Sequence, residues 1–231
     1  MDVLCRLIFG HLLADFTLQT NFIAAWKRKS LAGLLVHATL HPIAYLVLTW
    51  PYLNAEWVVT PWFALTGWPC VIIAYLTHLL EDYWRIWLVN RGAPDNFLFY
   101  AWDQFIHLVI LLGVAPVSDL YPAARWPILG CLFVIATHFA TVTIYYVEKD
   151  LYGSSFPETE EKYLSMLYRL AAVSCFLLPG YWWAGLVVFM VLRFAWHIHK
   201  RHFDFSWLSM LLGNLFSVGC GLAARFVLYR L

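Results

Sequence analysis

Histidine and acidic residues recur four positions apart in stretches of this sequence that are otherwise strongly apolar. The four pairs are His11 with Asp15, His37 with His41, His78 with Asp82, and Asp103 with His107. Because four residues make about one turn of an α-helix, the members of each pair share one helix face. An aspartate at the centre of a membrane helix costs about 2.5–3.5 kcal/mol on insertion scales. The pairs therefore indicate that a partner compensates for their burial.

Imidazole and carboxylate groups together are common protein ligands of Zn²⁺, Mn²⁺ and Fe²⁺. The sequence therefore predicts that the eight paired residues bind one divalent metal ion or two, as in helical bundles with a two-metal core. Asp15 is also a candidate catalytic residue, and Glu81, beside Asp82, is a candidate general base. A metal-free network of hydrogen bonds that locks the bundle is one alternative to a metal site, and a path for protons or ions is another.

The composition predicts an all-α, polytopic transmembrane bundle. Hydrophobic residues make up 62% of the 231 residues and charged residues 13%, against about 25% charged in soluble domains. Apolar runs of about 20 residues, the length that crosses a bilayer, follow one another along the chain. The net charge of +1 comes without a basic patch and predicts no nucleic-acid partner. The five cysteines stand singly, which is not the spacing of a disulfide or thiolate metal site.

The apolar runs predict eight spans, with seven as the fallback if the sixth and seventh form a hairpin that does not cross. The predicted spans are 3–25, 31–50, 62–88, 98–114, 126–147, 163–178, 182–198 and 206–228. They form a membrane region at 1–147 that carries the pairs, a polar cytoplasmic loop at 148–162 and a three-helix membrane region at 163–231. Tryptophans near the span ends, Trp57 among them, are typical of the interfacial aromatic belt.

Lysine and arginine concentrate in the loops that follow odd-numbered spans, for example Lys27, Arg28 and Lys29. The positive-inside rule then predicts that these loops are cytoplasmic and that both termini are outside. With this topology the four pairs lie at a common depth, about 6–21 Å from the cytoplasmic ends of their helices.

The motifs of the first half resemble a bacterial multi-pass membrane family of unknown function. That family is recognised by a G-H-x-x-x-D-F-x-L-Q opening, here at 10–19, and a later D-Q-x-x-H, which corresponds to D-Q-F-I-H at 103–107. The second half is similar too, with Arg169, Arg193 and L-L-G-N-L-F-S at 211–217. The resemblance implies a membrane fold, this site and the bacterial inner membrane, and it implies no particular reaction.

These observations together predict a membrane metal-dependent enzyme of the hydrolase type. A site at this depth suits a lipid or lipid-linked substrate that enters from the cytoplasmic leaflet, with Arg169 or Arg193 binding the headgroup. A carrier of divalent cations or protons is the first alternative, although no internal repeat of the transporter kind is visible. A non-catalytic subunit that docks a partner in a membrane complex is the second.

Overall fold

The computed structural model describes residues 1–116, 124–157, 159–200 and 206–229, with the backbone alone at 193, 194 and 196–200. Helices dominate this part of the chain, which confirms the predicted all-α class. The α-helices are α1 Asp2–Leu12, α2 Asn21–Lys27, α3 Leu31–Thr49, α4 Gly67–Asn90, α5 Phe97–Val114, α6 Arg125–Val134, α7 Ala140–Tyr152, α8 Thr159–Phe176, α9 Trp182–Lys200 and α10 Trp207–Tyr229. A π-helical turn, Leu13–Leu18, continues α1, and another, Ile135–Phe139, joins α6 to α7.

Four helical segments of the described chain are long and apolar enough to cross a membrane. They are Leu31–Tyr52, Phe97–Val114, Arg125–Tyr152 and Trp207–Tyr229. A shorter apolar stretch covers Trp182–Leu192. The chain is thus compatible with a membrane protein, and the eight spans and the position of the termini stay predictions.

The chain forms two compact units, Met1–Pro127 and Ile128–Leu231. In the first unit, an apolar core that includes Leu7, Tyr45 and Leu111 draws on α1, α3 and α5. In the second, Val173 of α8 and Ala224 of α10 belong to a smaller core. The predicted regions at 1–147, 148–162 and 163–231 concern membrane insertion and stay a prediction.

The first predicted span is wrong as a continuous helix over 3–25. The helix ends after the π turn, because Gln19 adopts an extended backbone (φ −72°, ψ 92°) and Thr20 starts a new helix as its N-cap. The hydroxyl of Thr20 accepts a hydrogen bond from the backbone N–H of Ile23 at 3.2 Å, which satisfies one of the free donors of a helix start. A hydropathy window of about 20 residues averages over the short polar segment Q-T-N at 19–21, so it does not detect this break.

A small β-hairpin precedes α4, where the sequence predicted a loop and the start of a helix at residue 62. Strands β1 (Glu56–Val59) and β2 (Ala64–Thr66) pair antiparallel, and Gly67 begins α4. The hairpin buries Trp57, which is 2% exposed and donates from Nε1 to the backbone oxygen of Tyr52 at 2.9 Å. Trp57 is therefore a core residue, contrary to its predicted place in the aromatic belt.

Candidate metal centre

The four predicted pairs are carried by four helical elements of the N-terminal unit, which are α1 with its π turn, α3, α4 and α5. Asp15 itself lies in the π turn Leu13–Leu18. Such turns occur often at functional sites, because the extra residue shifts the side chains that follow it around the helix. All eight paired residues are buried, with side chains at most 7% exposed. The structure brings them together in one cluster.

Asp15 lies at the centre of the cluster. Its Oδ1 is 3.2 Å from Nε2 of His37, 3.2 Å from Nε2 of His41 and 3.9 Å from Nε2 of His78. One ligand atom from each of these four residues lies within 4.8 Å of the other three. We call these four residues the nitrogen-rich group. Three nitrogens and one oxygen are a donor set that suits Zn²⁺ or Fe²⁺.

The second oxygen of Asp15 faces a different set of side chains. Oδ2 is 3.5 Å from Nε2 of His11 and 4.0 Å from Nδ1 of His107. The amide of Gln104 donates to this oxygen at 3.0 Å and to Oδ2 of Asp103, also at 3.0 Å. Gln104 thereby fixes the orientation of two carboxylates that belong to different helices. Asp15 is placed to be shared between two ligand groups.

A second set of four donors is richer in oxygen. Glu81, Asp82, Asp103 and His107 also offer one ligand atom each within 4.8 Å of one another, and we call them the oxygen-rich group. Oε2 of Glu81 lies 3.0 Å from Nε2 of His107. Glu81 therefore reaches across to α5, although it is adjacent to Asp82 on α4.

Asp82 connects the oxygen-rich group with the nitrogen-rich one. Its Oδ2 lies 3.2 Å from Nε2 of His37 and 3.6 Å from Nε2 of His78. The imidazoles themselves are in close contact, with ring centroids 3.7 Å apart for His41 and His78 and 4.1 Å apart for His78 and His107. A third possible ligand set, His11 with His78 and His107, shares His78 with the nitrogen-rich group and His107 with the oxygen-rich group. The donors form one continuous cluster.

Many ring nitrogens in this cluster have no hydrogen-bond partner among the described residues. Within the described chain, neither ring nitrogen has a hydrogen-bond partner in four of the imidazoles, which are those of His37, His41, His78 and His107. Oδ1 of Asp15 has no hydrogen-bond partner there either. His41 shows the reason, because its Nε2 is 3.2 Å from Oδ1 of Asp15 but is not aligned to donate to it. A buried polar atom without a partner costs about 1–3 kcal/mol. The donor set is therefore incomplete by itself, and it fits a divalent cation.

Two basic side chains border the oxygen-rich group, and no sequence motif indicates their position. Nζ of Lys27 lies 3.1 Å from Oδ2 of Asp82, and Nε of Arg85 lies 3.8 Å from Oδ1 of Asp103. Lys27 was expected in a cytoplasmic loop, and the break after the π turn brings α2 and its last residue back to the cluster.

The charges of the cluster can be counted from these contacts. With each carboxyl ionised, the carboxylates of Asp15 and of the oxygen-rich group carry four negative charges. Lys27 supplies one positive charge, and Arg85 supplies a second that it shares with Asp95, whose Oδ1 lies 3.1 Å from Nη2 of Arg85. Negative charge therefore exceeds positive charge among these groups, and a bound cation would offset that excess.

The two arginines predicted to bind substrate belong to the C-terminal unit. Arg169 is 4% exposed and donates to backbone oxygens of Ala136 at 2.7 Å and Thr137 at 3.1 Å, and to the hydroxyl of Thr141. The side chain of Arg193 lies outside the described residues. Substrate binding by these arginines, like the metal and catalytic roles of the N-terminal residues, stays a prediction.

Fold and cluster define a helical protein with several potentially membrane-spanning helices and a buried group of histidines and carboxylates that could hold a metal ion. The chain belongs to the DUF3307 family, whose model, described as "Protein of unknown function (DUF3307)", matches residues 3–125. No curated protein and no solved structure matches the chain. The matched segment contains every residue of both ligand groups.

Proposed function

We propose that this protein is an integral-membrane enzyme that uses a divalent metal ion, held by the His/carboxylate cluster, to hydrolyse a lipid or lipid-linked substrate. The observation that carries the proposal is the set of buried imidazole nitrogens that converge on Asp15 without hydrogen-bond partners. Neutral imidazole offers a metal ion one lone pair, and several such lone pairs aimed at one point are the usual environment of a bound cation.

A metal-free network is the main alternative account of the four pairs. Such a network would align each imidazole N–H with a carboxylate oxygen, because a hydrogen bond weakens steeply as it bends. The 3.2 Å nitrogen–oxygen approaches of His37 and His41 to Asp15 lack that alignment, and the approach of His78, at 3.9 Å, is too long for a hydrogen bond. The geometry therefore supports a bound cation more strongly than a metal-free hydrogen-bond network.

The two ligand groups together could bind one tightly held ion and a second, more weakly held ion. The nitrogen-rich group is suited to Zn²⁺ or Fe²⁺, and the oxygen-rich group to a harder ion such as Mn²⁺. Lys27 already places a positive charge beside Asp82 and so competes with an ion in the oxygen-rich group. We therefore propose that the nitrogen-rich group binds its ion more tightly.

A bound divalent ion would supply Lewis acidity and a nucleophilic water at neutral pH. The chain's own residues hold and orient the reacting groups. Glu81, at 3.0 Å from Nε2 of His107, is placed to accept a proton and return it to the leaving group. Gln104 holds the carboxylates of Asp15 and Asp103 in fixed orientations through its two hydrogen bonds. Hydrolysis adds water across the cleaved ester or phosphoester bond and needs no further reactant.

The lipid character of the substrate rests on the helices that carry the ligands. His37 and His41 belong to α3 and Asp103 and His107 to α5, and both helices are long and apolar enough to span a membrane. A lipid or lipid-linked molecule can reach groups buried between such helices from within the bilayer, which supports this class of substrate. The distribution of basic residues supports a position of the cluster near the cytoplasmic leaflet, with both termini outside the cytoplasm.

Elemental analysis of the purified protein tests the metal. We expect about one tightly held Zn, Mn or Fe per chain after dialysis, and we expect His41→Ala to lose it. His138→Ala is the matched control, because His138 belongs to the C-terminal unit and pairs with Thr137. Wild-type protein without bound metal, or His41→Ala with full metal content, would refute the site. A metal that binds weakly and exchanges freely would instead favour a carrier.

Product release tests the reaction. Protein in detergent micelles is stripped with a chelator, reloaded with Zn²⁺ or Mn²⁺ and supplied with phosphatidylglycerol as a first test substrate. We expect metal-dependent release of fatty acid or headgroup and a loss of about 10²–10⁴-fold for Glu81→Gln, the usual size of a general acid–base contribution. If Glu81→Gln keeps both its metal and the wild-type rate, Glu81 is not the proton acceptor.

A further inference from the structure

Two adjoining cavities in the C-terminal unit differ in chemical character. One has a volume of about 400 Å³ and is lined largely by hydroxyl and carboxylate side chains, among them Ser154, Ser155 and Glu161. The other, of about 310 Å³, is lined mainly by apolar side chains such as Leu164 and Met210. Both volumes fall in the range of small-molecule sites, about 300–1,000 Å³. Neither cavity includes a residue of the His/carboxylate cluster.

Three residues line both cavities and mark the place where they meet: Ser165, Arg169 and Ser209. The first two belong to α8 and the third to α10. A polar chamber and an apolar chamber that share a wall are complementary to an amphiphile, which has a polar head and an apolar tail. The shared wall then faces the junction between head and tail.

Arg169 is the charged group at this junction. The described residues satisfy Nε and Nη2 of its guanidinium with neutral oxygens of Ala136, Thr137 and Thr141. Two of these acceptors, Ala136 and Thr137, lie in the π turn Ile135–Phe139, where the widened helix leaves carbonyl oxygens available to other donors. Arg169 therefore has a structural role, but these bonds use only part of its donors.

The remaining amine of Arg169, Nη1, contributes two N–H donors. It lies near Gly213, which lines the apolar cavity, since a Cβ added at Gly213 would be 3.6 Å from Nη1. No carboxylate among the described residues pairs with the guanidinium, although its side chain is 4% exposed. Within the described part of the chain this buried positive charge has free donors and no paired carboxylate, which favours an anionic ligand, and arginine suits phosphate in particular.

We propose that the C-terminal unit binds an amphiphile with a phosphate ester head, the phosphate at Arg169 and the apolar chain in the cavity lined by Leu164 and Met210. The carboxylates Glu148 and Glu161 also line the polar cavity, so a bare anion is disfavoured there. They favour a head that carries hydroxyl or ammonium donors beside its phosphate, as glycerol phosphate and ethanolamine phosphate esters do. This site is independent of the metal proposed for the N-terminal unit.

Binding measurements on the full-length protein in non-ionic detergent test this site. The probe is dihexanoyl phosphatidylglycerol, measured by native mass spectrometry. It is compared with dihexanoylglycerol, which lacks the phosphate, and with glycerol phosphate, which lacks the chains. We expect each comparator to bind about tenfold or more weakly than the probe, because each lacks one half of the recognised structure. Equal binding of glycerol phosphate would mean a site for a free phosphate ester and would overturn the amphiphile.

Variants connect the binding to this cavity. We expect Arg169→Gln to weaken probe binding about tenfold or more. Arg225→Gln is the matched control, because Arg225 is also an arginine of this unit that donates to backbone oxygens, those of Phe176, Leu178 and Gly180, and it lines neither cavity. We expect it to bind the probe like wild type.

A second variant decides the matter should Arg169→Gln fail to fold. Ser209→Phe fills the junction and leaves the hydrogen bonds of Arg169 intact, so we expect it to lose binding while keeping its melting temperature. Wild-type binding in a folded Ser209→Phe protein would overturn the site. The metal content of every variant should equal that of wild type, so a failure of this proposal and a failure of the metal site are separately visible.

Discussion

Asp15→Asn is the most direct test of the cluster, because this residue contacts more imidazoles than any other carboxylate of the described cluster. Oδ1 approaches three ring nitrogens and Oδ2 approaches two more. The substitution keeps the size of the side chain and its ability to accept from Gln104, but it removes the negative charge and one strong ligand atom. We expect the variant to fold and to lose its metal.

The magnitude follows from linkage between metal binding and folding. At a free metal concentration about 100 times the dissociation constant, a bound ion stabilises the folded protein by about 2.7 kcal/mol. Loss of a group that only supports a ligand weakens metal binding about 10–100-fold, so loss of a ligand should cost at least about 100-fold. At the same metal concentration the stabilisation then falls to about 0.4 kcal/mol.

The assay is thermal unfolding in detergent with and without added metal, paired with elemental analysis. For a chain of this size, each kcal/mol corresponds to about 2–4 °C in melting temperature. We therefore expect metal to raise the melting temperature of wild type by about 5–11 °C and that of Asp15→Asn by about 1–2 °C.

Asp2→Asn provides a matched control on the same helix. Asp2 is also a buried carboxylate, 2% exposed, but its partners are Arg6, Tyr52 and the backbone N–H of Ala124. We expect this variant to lose about 1–3 kcal/mol of stability and to keep the full metal-dependent shift. Our assignment is refuted if Asp15→Asn retains that shift, or if both variants lose it equally.

Further predictions concern the two ligand groups and the packing of the C-terminal unit. We expect His41→Ala to remove the ion of the nitrogen-rich group and Asp103→Asn to leave it, because Asp103 belongs only to the oxygen-rich group; elemental analysis of both variants checks this. We expect Gly221→Ala to destabilise the protein by about 1–3 kcal/mol, since the added Cβ would lie 2.3 Å from Cδ2 of Phe176. Gly219→Ala, whose Cβ meets nothing within 4 Å, should stabilise α10 by up to about 1 kcal/mol; urea unfolding measures both.

Each of these pairs has an informative contrary result. Loss of all metal from Asp103→Asn would mean that both ligand groups bind ions as one cooperative unit. Equal stability of Gly221→Ala and Gly219→Ala would mean that α8 and α10 do not pack as closely in solution as the contact at Phe176 requires.

The eight paired residues were predictable because their signal is local. A spacing of four on a helix places two side chains on one face whatever the rest of the chain does, and burial among apolar residues makes an isolated polar pair unfavourable. This spacing argument did not identify Lys27 or Arg85, which contact the cluster but belong to none of the four pairs. The position of Lys27 depends on the direction of α2 after the break, and the contact of Arg85 with Asp103 depends on the packing of α4 against α5. No short sequence window contains either.

The π turn at Asp15, the break after Gln19 and the hairpin before α4 were likewise invisible to hydropathy. The π turn and the hairpin are changes of backbone geometry whose energy comes in part from contacts with distant residues, and the break after Gln19 depends on the local N-cap at Thr20. The burial of Trp57 illustrates this, because its indole hydrogen bond and its apolar neighbours exist only after the hairpin has packed.

By itself the sequence determined the helical class, the apolar character of the helices and the spacing that places paired histidines and carboxylates on single helix faces. These properties depend on residues that are close together in the sequence, so local interactions are sufficient to determine them. The tertiary structure decided which helices share a ligand group, which oxygen of Asp15 faces which imidazole, and that Glu81 meets His107. Those facts depend on interhelical distances of a few ångströms, which only the packing of the whole unit sets.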